Sequence, residues 1–200
     1  MGIEADILGR VANFGFTHNV FVEFYESFRP DQIKSKKWLV HEICKHNLVK
    51  KFNRVAVLGS WNSVLLKELL ESRISIEHWD FYDTDHNCHR DRDLYHEANE
   101  LQRNYSSMQT DVPTFFAHED VHKQYDLIIN PSCEHMADIK AVKGPMYALT
   151  SNNYEGIKGH INTIAKHEEL AIKNGINNIA YEGSLKLTNY TRFCTIGSVK

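Results

Sequence analysis

Asn130-Pro131-Ser132-Cys133-Glu134-His135-Met136 brings an amide, a thiol, a carboxylate and an imidazole into one short segment. An imidazole titrates close to neutral pH, so His135 is a candidate general base. A carboxylate beside an imidazole is also a start for a divalent-ion site. The plainer reading is that Glu134 and His135 open a helix and close the floor of a pocket. Leu58-Gly59-Ser60-Trp61-Asn62-Ser63 follows a short apolar run, and Gly59 lets backbone approach a ligand closely. Phe81-Tyr82-Asp83-Thr84-Asp85 ends another run in two acids. A carboxylate there can accept from both hydroxyls of a ribose diol. His118-Glu119-Asp120-Val121 offers two more acids, able to accept from an adenine amino group.

These segments need strands and helices to position them. Arg54–Gly59, Ile74–Tyr82, Pro113–Ala117, Tyr125–Asn130, Met146–Thr150, Ile176–Glu182 and Tyr190–Ile196 read as seven strands. Helices are predicted at 64–70, 87–103, 134–142 and 161–174, the last ending at the Asn174-Gly175 stop signal. Alternation of strand and helix implies right-handed βαβ units and a mostly parallel sheet. Gly183 to Asn189 is too short for a crossover, so the last two strands form an antiparallel hairpin. The first 50 residues read as a helical cap: an aromatic-rich stretch containing Phe14, Phe16, Phe21, Phe24 and Phe28, then an amphipathic helix within 34–54. The expected organisation is one domain over 1–200, with the core at 51–200.

The chain has 200 residues, 42% of them hydrophobic, which is enough to bury a core and excludes wholesale disorder. No apolar run approaches the roughly 20 residues of a membrane helix. Acids near Met1 do not suit a signal peptide, and the four cysteines form no C-x-x-C pair. A cytoplasmic setting with reduced thiols is expected. The net charge of -3 averages two unlike regions. Seven basic residues against one acid lie in 34–54, including Lys34, Lys36 and Lys37, which could meet phosphates. Eleven acids against three basic residues lie in 77–120. Of the 12 histidines, most lack partners at ligand spacing. Asp83, Asp85, His86, Cys88 and His89 crowd together without the paired spacing of a closed zinc site. The first loop lacks both G-x-G-x-x-G and Gly-Lys-Ser/Thr, which argues against NAD, FAD, ATP and GTP.

Over about residues 50–196 the order of "VLGSW", "FYDTD", "AHEDV", "YDLIINPSCEHMAD" and "YALTSNNY" resembles the class I S-adenosylmethionine-dependent methyltransferases, and among them small phage-encoded methyltransferase-like proteins. The resemblance implies a Rossmann-like α/β fold and S-adenosylmethionine as cofactor. Gly59, Ser60 and Trp61 would approach the methionine part. Asp83, or Asp85 as runner-up, would take the ribose. Glu119 and Asp120 would flank the adenine, and Asn130 would sit near the transferred methyl. Asn130-Pro131-Ser132-Cys133 half matches the Asn-Pro-Pro-aromatic motif of enzymes that methylate amino groups of nucleic acids. Glu134 and His135 resemble part of the divalent-metal motif of RNA-end ribose methyltransferases, with His160 as the third ligand. The acceptor, a small molecule or a nucleic acid, is left open. Trp61-Asn62-Ser63 stands where the family has a second glycine, and this favours an alternative. In it the fold has lost its cofactor site and serves as a binding or structural module, such as one within a phage assembly.

Overall fold

The structure, a computed structural model, describes residues 2–13, 24–47, 49–101 and 103–200. Phe14, Phe16, Phe21 and Leu48 lie outside them. Two helices come first, α1 (Ile3–Asn13) and α2 (Pro30–His46). Then follow β1 (Lys51–Leu58), α3 (Val64–Glu71), β2 (Ser75–Asp83), α4 (His86–Ala98) and β3 (Tyr105–Gln109). Two single-turn helices, α5 (Val112–Phe115) and α6 (Glu119–His122), lead to β4 (Leu127–Asn130). After β5 (Met146–Asn152) and α7 (His167–Asn174), the chain closes with β6 (Asn178–Lys186) and β7 (Thr191–Ser198).

The seven strands form one sheet in the order β3-β2-β1-β4-β5-β7-β6. Neighbours from β3 to β5 are parallel, while β7 runs antiparallel to both β5 and β6. The expected hairpin is therefore present. Central β1 is buried on both faces, as a run of Val, Ala and Leu between covering layers requires. Side chains alternate with the strand period of two. Val55 and Val57 enter one apolar layer with Leu39, Leu66 and Phe81. Ala56 and Leu58 enter the other with Tyr82, Phe116 and Tyr147. The order reverses between β1 and β4, and strand ends on either side of such a reversal leave a crevice.

Two expected elements fall elsewhere. The third strand is Tyr105–Gln109, not 113–117. It pairs with β2 alone and lies at the sheet edge, where a polar sequence is tolerated. Pro113 instead opens the α5 turn, where its missing N–H leaves no bond unmade. The helix expected at 134–142 shrinks to a 3₁₀ turn, Cys133–His135. Beyond it, side chains claim the backbone: Asn162 Nδ2 donates to Met136 O (3.1 Å), and Ile139 N donates to Asn174 Oδ1 (3.2 Å). The helix expected at 161–174 keeps only its second half, because Ile161 N and Asn162 N donate to Glu134 O. Gly175 ends it with φ of 75°, as its stop signal requires.

His96 on α4 is buried against Tyr105, and neither ring nitrogen has a hydrogen-bond partner among the described residues. Burial, with Lys67 and Arg92 nearby, lowers its pKa from 6.5 to about 4. Below pH 6.5 the unfolded chain takes up a proton that the folded chain refuses. Stability is therefore complete above that pH and falls towards pH 4, by up to about 3 kcal/mol. In a His96→Phe variant this part of the pH dependence should vanish. Urea unfolding at several pH values checks it, and equal slopes for the two proteins would refute it.

Candidate active site

The loop after β1 carries the site. Gly59 has φ of 59°, and a Cβ there would lie 2.7 Å from Met136 Cε. Glycine is thus required twice, for conformation and for space. Trp61 and Ser63 also take left-handed backbone, with φ of 48° and 49°. Non-glycine residues rarely do so unless surroundings enforce it. Arg92 on α4 supplies that enforcement. It is fully buried. Its Nη2 donates to Trp61 O (2.6 Å) and Ser60 Oγ (3.0 Å), and its Nε to Asn62 O (2.9 Å). Nη1 donates to Ser107 Oγ (2.9 Å) on β3, and the guanidinium stacks 3.9 Å from the Phe81 ring centroid. Burial lowers the Arg92 pKa to about 10, which leaves it charged at neutral pH.

Asp83 at the end of β2 holds the loop from the other side. Its Oδ2 accepts from Trp61 N (2.8 Å) and its Oδ1 from Asp85 N (3.0 Å). A cavity of about 600 Å³ opens over these strand ends, a volume typical of small-molecule sites. Gly59, Trp61, Asp83, Asp111, Ser132 and His135 are among the residues that line it. A smaller cavity of about 140 Å³ adjoins it and shares Gly59, Trp61, Ser132 and His135.

The structure thus brings Gly59, Trp61, Asp83 and His135 to one cavity wall, with Ser60 and Glu134 lining the smaller space. The other sequence candidates lie elsewhere. Asp85 caps α4, accepting from Asn87 N (2.9 Å). Asn130 is buried in its own turn: its Oδ1 accepts from Ser132 N (3.0 Å), and its Nδ2 meets Met136 Sδ at 3.2 Å. Glu119 and Asp120 are exposed on α6, pair with Lys123, and line neither cavity. Asp111, Val112 and Pro113 line the large cavity instead. The basic trio divides: Lys34 donates to Lys186 O (3.0 Å), Lys37 to Glu4 Oε1 (2.5 Å), and Lys36 is buried.

Glu134, His135 and His160 do converge, with one ligand atom of each within 4.8 Å of the others. His135 Nδ1 lies 3.2 Å from Gly159 O, and His160 Nδ1 2.7 Å from Tyr154 O. A carbonyl only accepts, so both Nδ1 atoms carry a proton, which in a neutral ring puts the lone pair on Nε2. Glu134 Oε1 accepts from Asn152 Nδ2 (2.6 Å) and Arg192 Nη2 (3.2 Å), while its buried Oε2 has no partner among the described residues. Burial pushes the Cys133 thiol well above its ordinary range, which disfavours it as a nucleophile.

Arg92, Asp111, Asn152 and Arg192 had no sequence signal as site residues. Arg92 is one of two arginines in a polar helix, and its role appears only once α4 packs on β2. Asp111 would have been found had the third strand been placed at Tyr105–Gln109.

No family model and no curated protein sequence matches the chain. Solved structures do match it. An S-adenosylmethionine-dependent methyltransferase from Clostridium acetobutylicum is 13% identical with a TM-score of 0.60, covering 92% of this chain and 99% of that one. TehB from Haemophilus influenzae is 14% identical with a TM-score of 0.59, over 80% of this chain and 61% of that one. TrmK of M. capricolum, solved with the cofactor product S-adenosylhomocysteine, is 12% identical with a TM-score of 0.52, over 80% and 66%. The chain spans less than two thirds of the TehB and TrmK chains. Identities this low establish a shared fold: the α/β, Rossmann-like methyltransferase fold, with its mostly parallel seven-stranded sheet and C-terminal hairpin.

Replacing Arg92 by Met should destabilise the protein by about 3 kcal/mol or more, because several buried acceptors lose their donor at once. Arg92→Lys should recover little, since one ammonium cannot reproduce the fork. Urea unfolding measures both. A loss below about 1 kcal/mol for Arg92→Met would show that the loop holds its conformation unaided.

Proposed function

We propose that the protein transfers the methyl group of S-adenosylmethionine to an acceptor. The observation that carries this reading is the 600 Å³ cavity at the strand ends, walled by Gly59, Asp83 and Asp111 on a methyltransferase-type sheet. Its chemistry suits a nucleoside. Asp83 presents carboxylate oxygens to a ribose diol. Backbone at Gly59 approaches without a Cβ in the way, and Asp111 to Pro113 flank the adenine end. When bound, S-adenosylmethionine supplies a methyl group already activated by its sulfonium. What remains for the chain is to orient the acceptor and exclude water. Transfer to the acceptor would release the acceptor's proton, which needs a base within reach. His135, which lines the cavity and donates its Nδ1 proton to Gly159 O, would take that proton at Nε2.

A second reading for the same corner rests on the convergence of Glu134, His135 and His160, one ligand atom of each within 4.8 Å of the others, and on the unpartnered Glu134 Oε2. The open lone pairs and the unpartnered carboxylate oxygen fit a divalent ion, with the Nδ1–carbonyl bonds as orienting partners. An ion held there would supply Lewis acidity towards an acceptor hydroxyl. Mn²⁺ titration followed by electron paramagnetic resonance should show one bound ion, lost in His160→Ala. Equal binding by both proteins would exclude this site.

Calorimetry with S-adenosylhomocysteine tests the main reading. Binding is expected, and Asp83→Ala should weaken it by about 1.5–3 kcal/mol, the worth of hydrogen bonds to a charged group. No binding at millimolar ligand would remove the enzyme reading and leave a binding module. Unchanged affinity in Asp83→Ala would move the ribose elsewhere.

A further inference from the structure

Among the described residues, the small cavity is lined by more basic than acidic side chains. Two cations line it, Lys36 from α2 and Arg192 from β7, with one carboxylate, Glu134. Arg192 and Glu134 answer each other, Nη2 to Oε1 at 3.2 Å, and Arg192 Nη1 is further engaged by Pro131 O at 2.7 Å. Lys36 has no such answer. It is nine-tenths buried, and among the described residues no acidic group acts on it while Arg192 repels it. Its hydrogen bonds are long, 3.4 Å to Ser27 O and 3.5 Å to Gln32 Oε1. The ammonium lies 5.4 Å from the ring centroid of Trp61, which lines both cavities. A buried cation without an anion is costly, and the fold tolerates it where a ligand completes the pair.

We propose that this cavity is a subsite for a carboxylate, with Lys36 as its pairing cation. Its 140 Å³ has room for a short acid-bearing chain. The cavity opens beside Gly59 and His135, so the carboxylate belongs either to the amino-acid tail of the nucleoside ligand or to the methyl acceptor. Burial and Arg192 bring the Lys36 ammonium down to about 7, and a carboxylate beside it restores the charge. The nucleoside source rests on the function proposed above; the subsite itself does not.

Two arms test it. In the first, wild type and Lys36→Met are titrated with S-adenosylhomocysteine and with its decarboxylated analogue. If the tail is the source, wild type binds the acid at least tenfold more tightly than the analogue, and Lys36→Met removes that preference while leaving the analogue's affinity unchanged. In the second, sodium acetate is titrated at constant ionic strength while the Trp61 indole N–H resonance is followed. A saturable shift in wild type, absent in Lys36→Met, supports the subsite even if no nucleoside binds. With the first arm flat and the second positive, the acceptor is the source. The variant's fold is checked by its melting temperature, which should equal or exceed that of wild type without ligand. If wild type shows neither the preference nor the acetate shift, the proposal is overturned, whatever the variant does.

Discussion

The guanidinium of Arg92 is the interaction on which the candidate site depends. One planar group reaches three consecutive residues of the loop after β1, a hydroxyl on β3 and the ring of Phe81. Its five donors lie in a fixed fork, so it sets a geometry as well as supplying bonds. The loop needs this because two of its residues hold backbone angles that glycine adopts freely and other residues resist. Asp83 adds the opposing grip at Trp61 N. The loop is therefore held on one side from a helix and on the other from a strand end, and the cavity floor follows from both.

The far wall is organised differently. Between β4 and β5 the chain has little regular structure, and asparagines replace it. Asn130, Asn162 and Asn174 each bond to nearby backbone, and Asn152 fixes Glu134. Amide side chains can satisfy a donor and an acceptor together, so irregular backbone can run beside a buried floor without orphaned groups. The two imidazoles are oriented the same way, each through a proton given to a carbonyl.

Much of this was legible in the sequence. β1, β2, β4 and the final hairpin announce themselves through apolar or alternating runs, and the Gly59 loop and the Asp83 strand end follow from them. Edge strand β3 did not, because Tyr105–Gln109 is polar and pairs on one side only. The loop after the edge strand therefore starts at Thr110, so Asp111 rather than Glu119 or Asp120 lines the large cavity. The helix expected after Glu134 failed for a related reason: local propensity yields when distant side chains offer the backbone better partners. Lys36 shows the limit most plainly. Among Lys34, Lys36 and Lys37 nothing in the spacing says which one turns inward; only the packing of α2 over the sheet decides it.

The residues that replace glycine in the first loop have a thermodynamic side. Glycine gives an unfolded or open chain many conformations to lose. Trp61-Asn62-Ser63 has fewer to begin with, and the surrounding bonds have already selected among them. Such a loop spends little entropy on becoming ordered around a ligand, so affinity gained there would come from contacts rather than be lost to rearrangement. Trp61-Asn62-Ser63 thus stiffens the loop before anything enters the cavity.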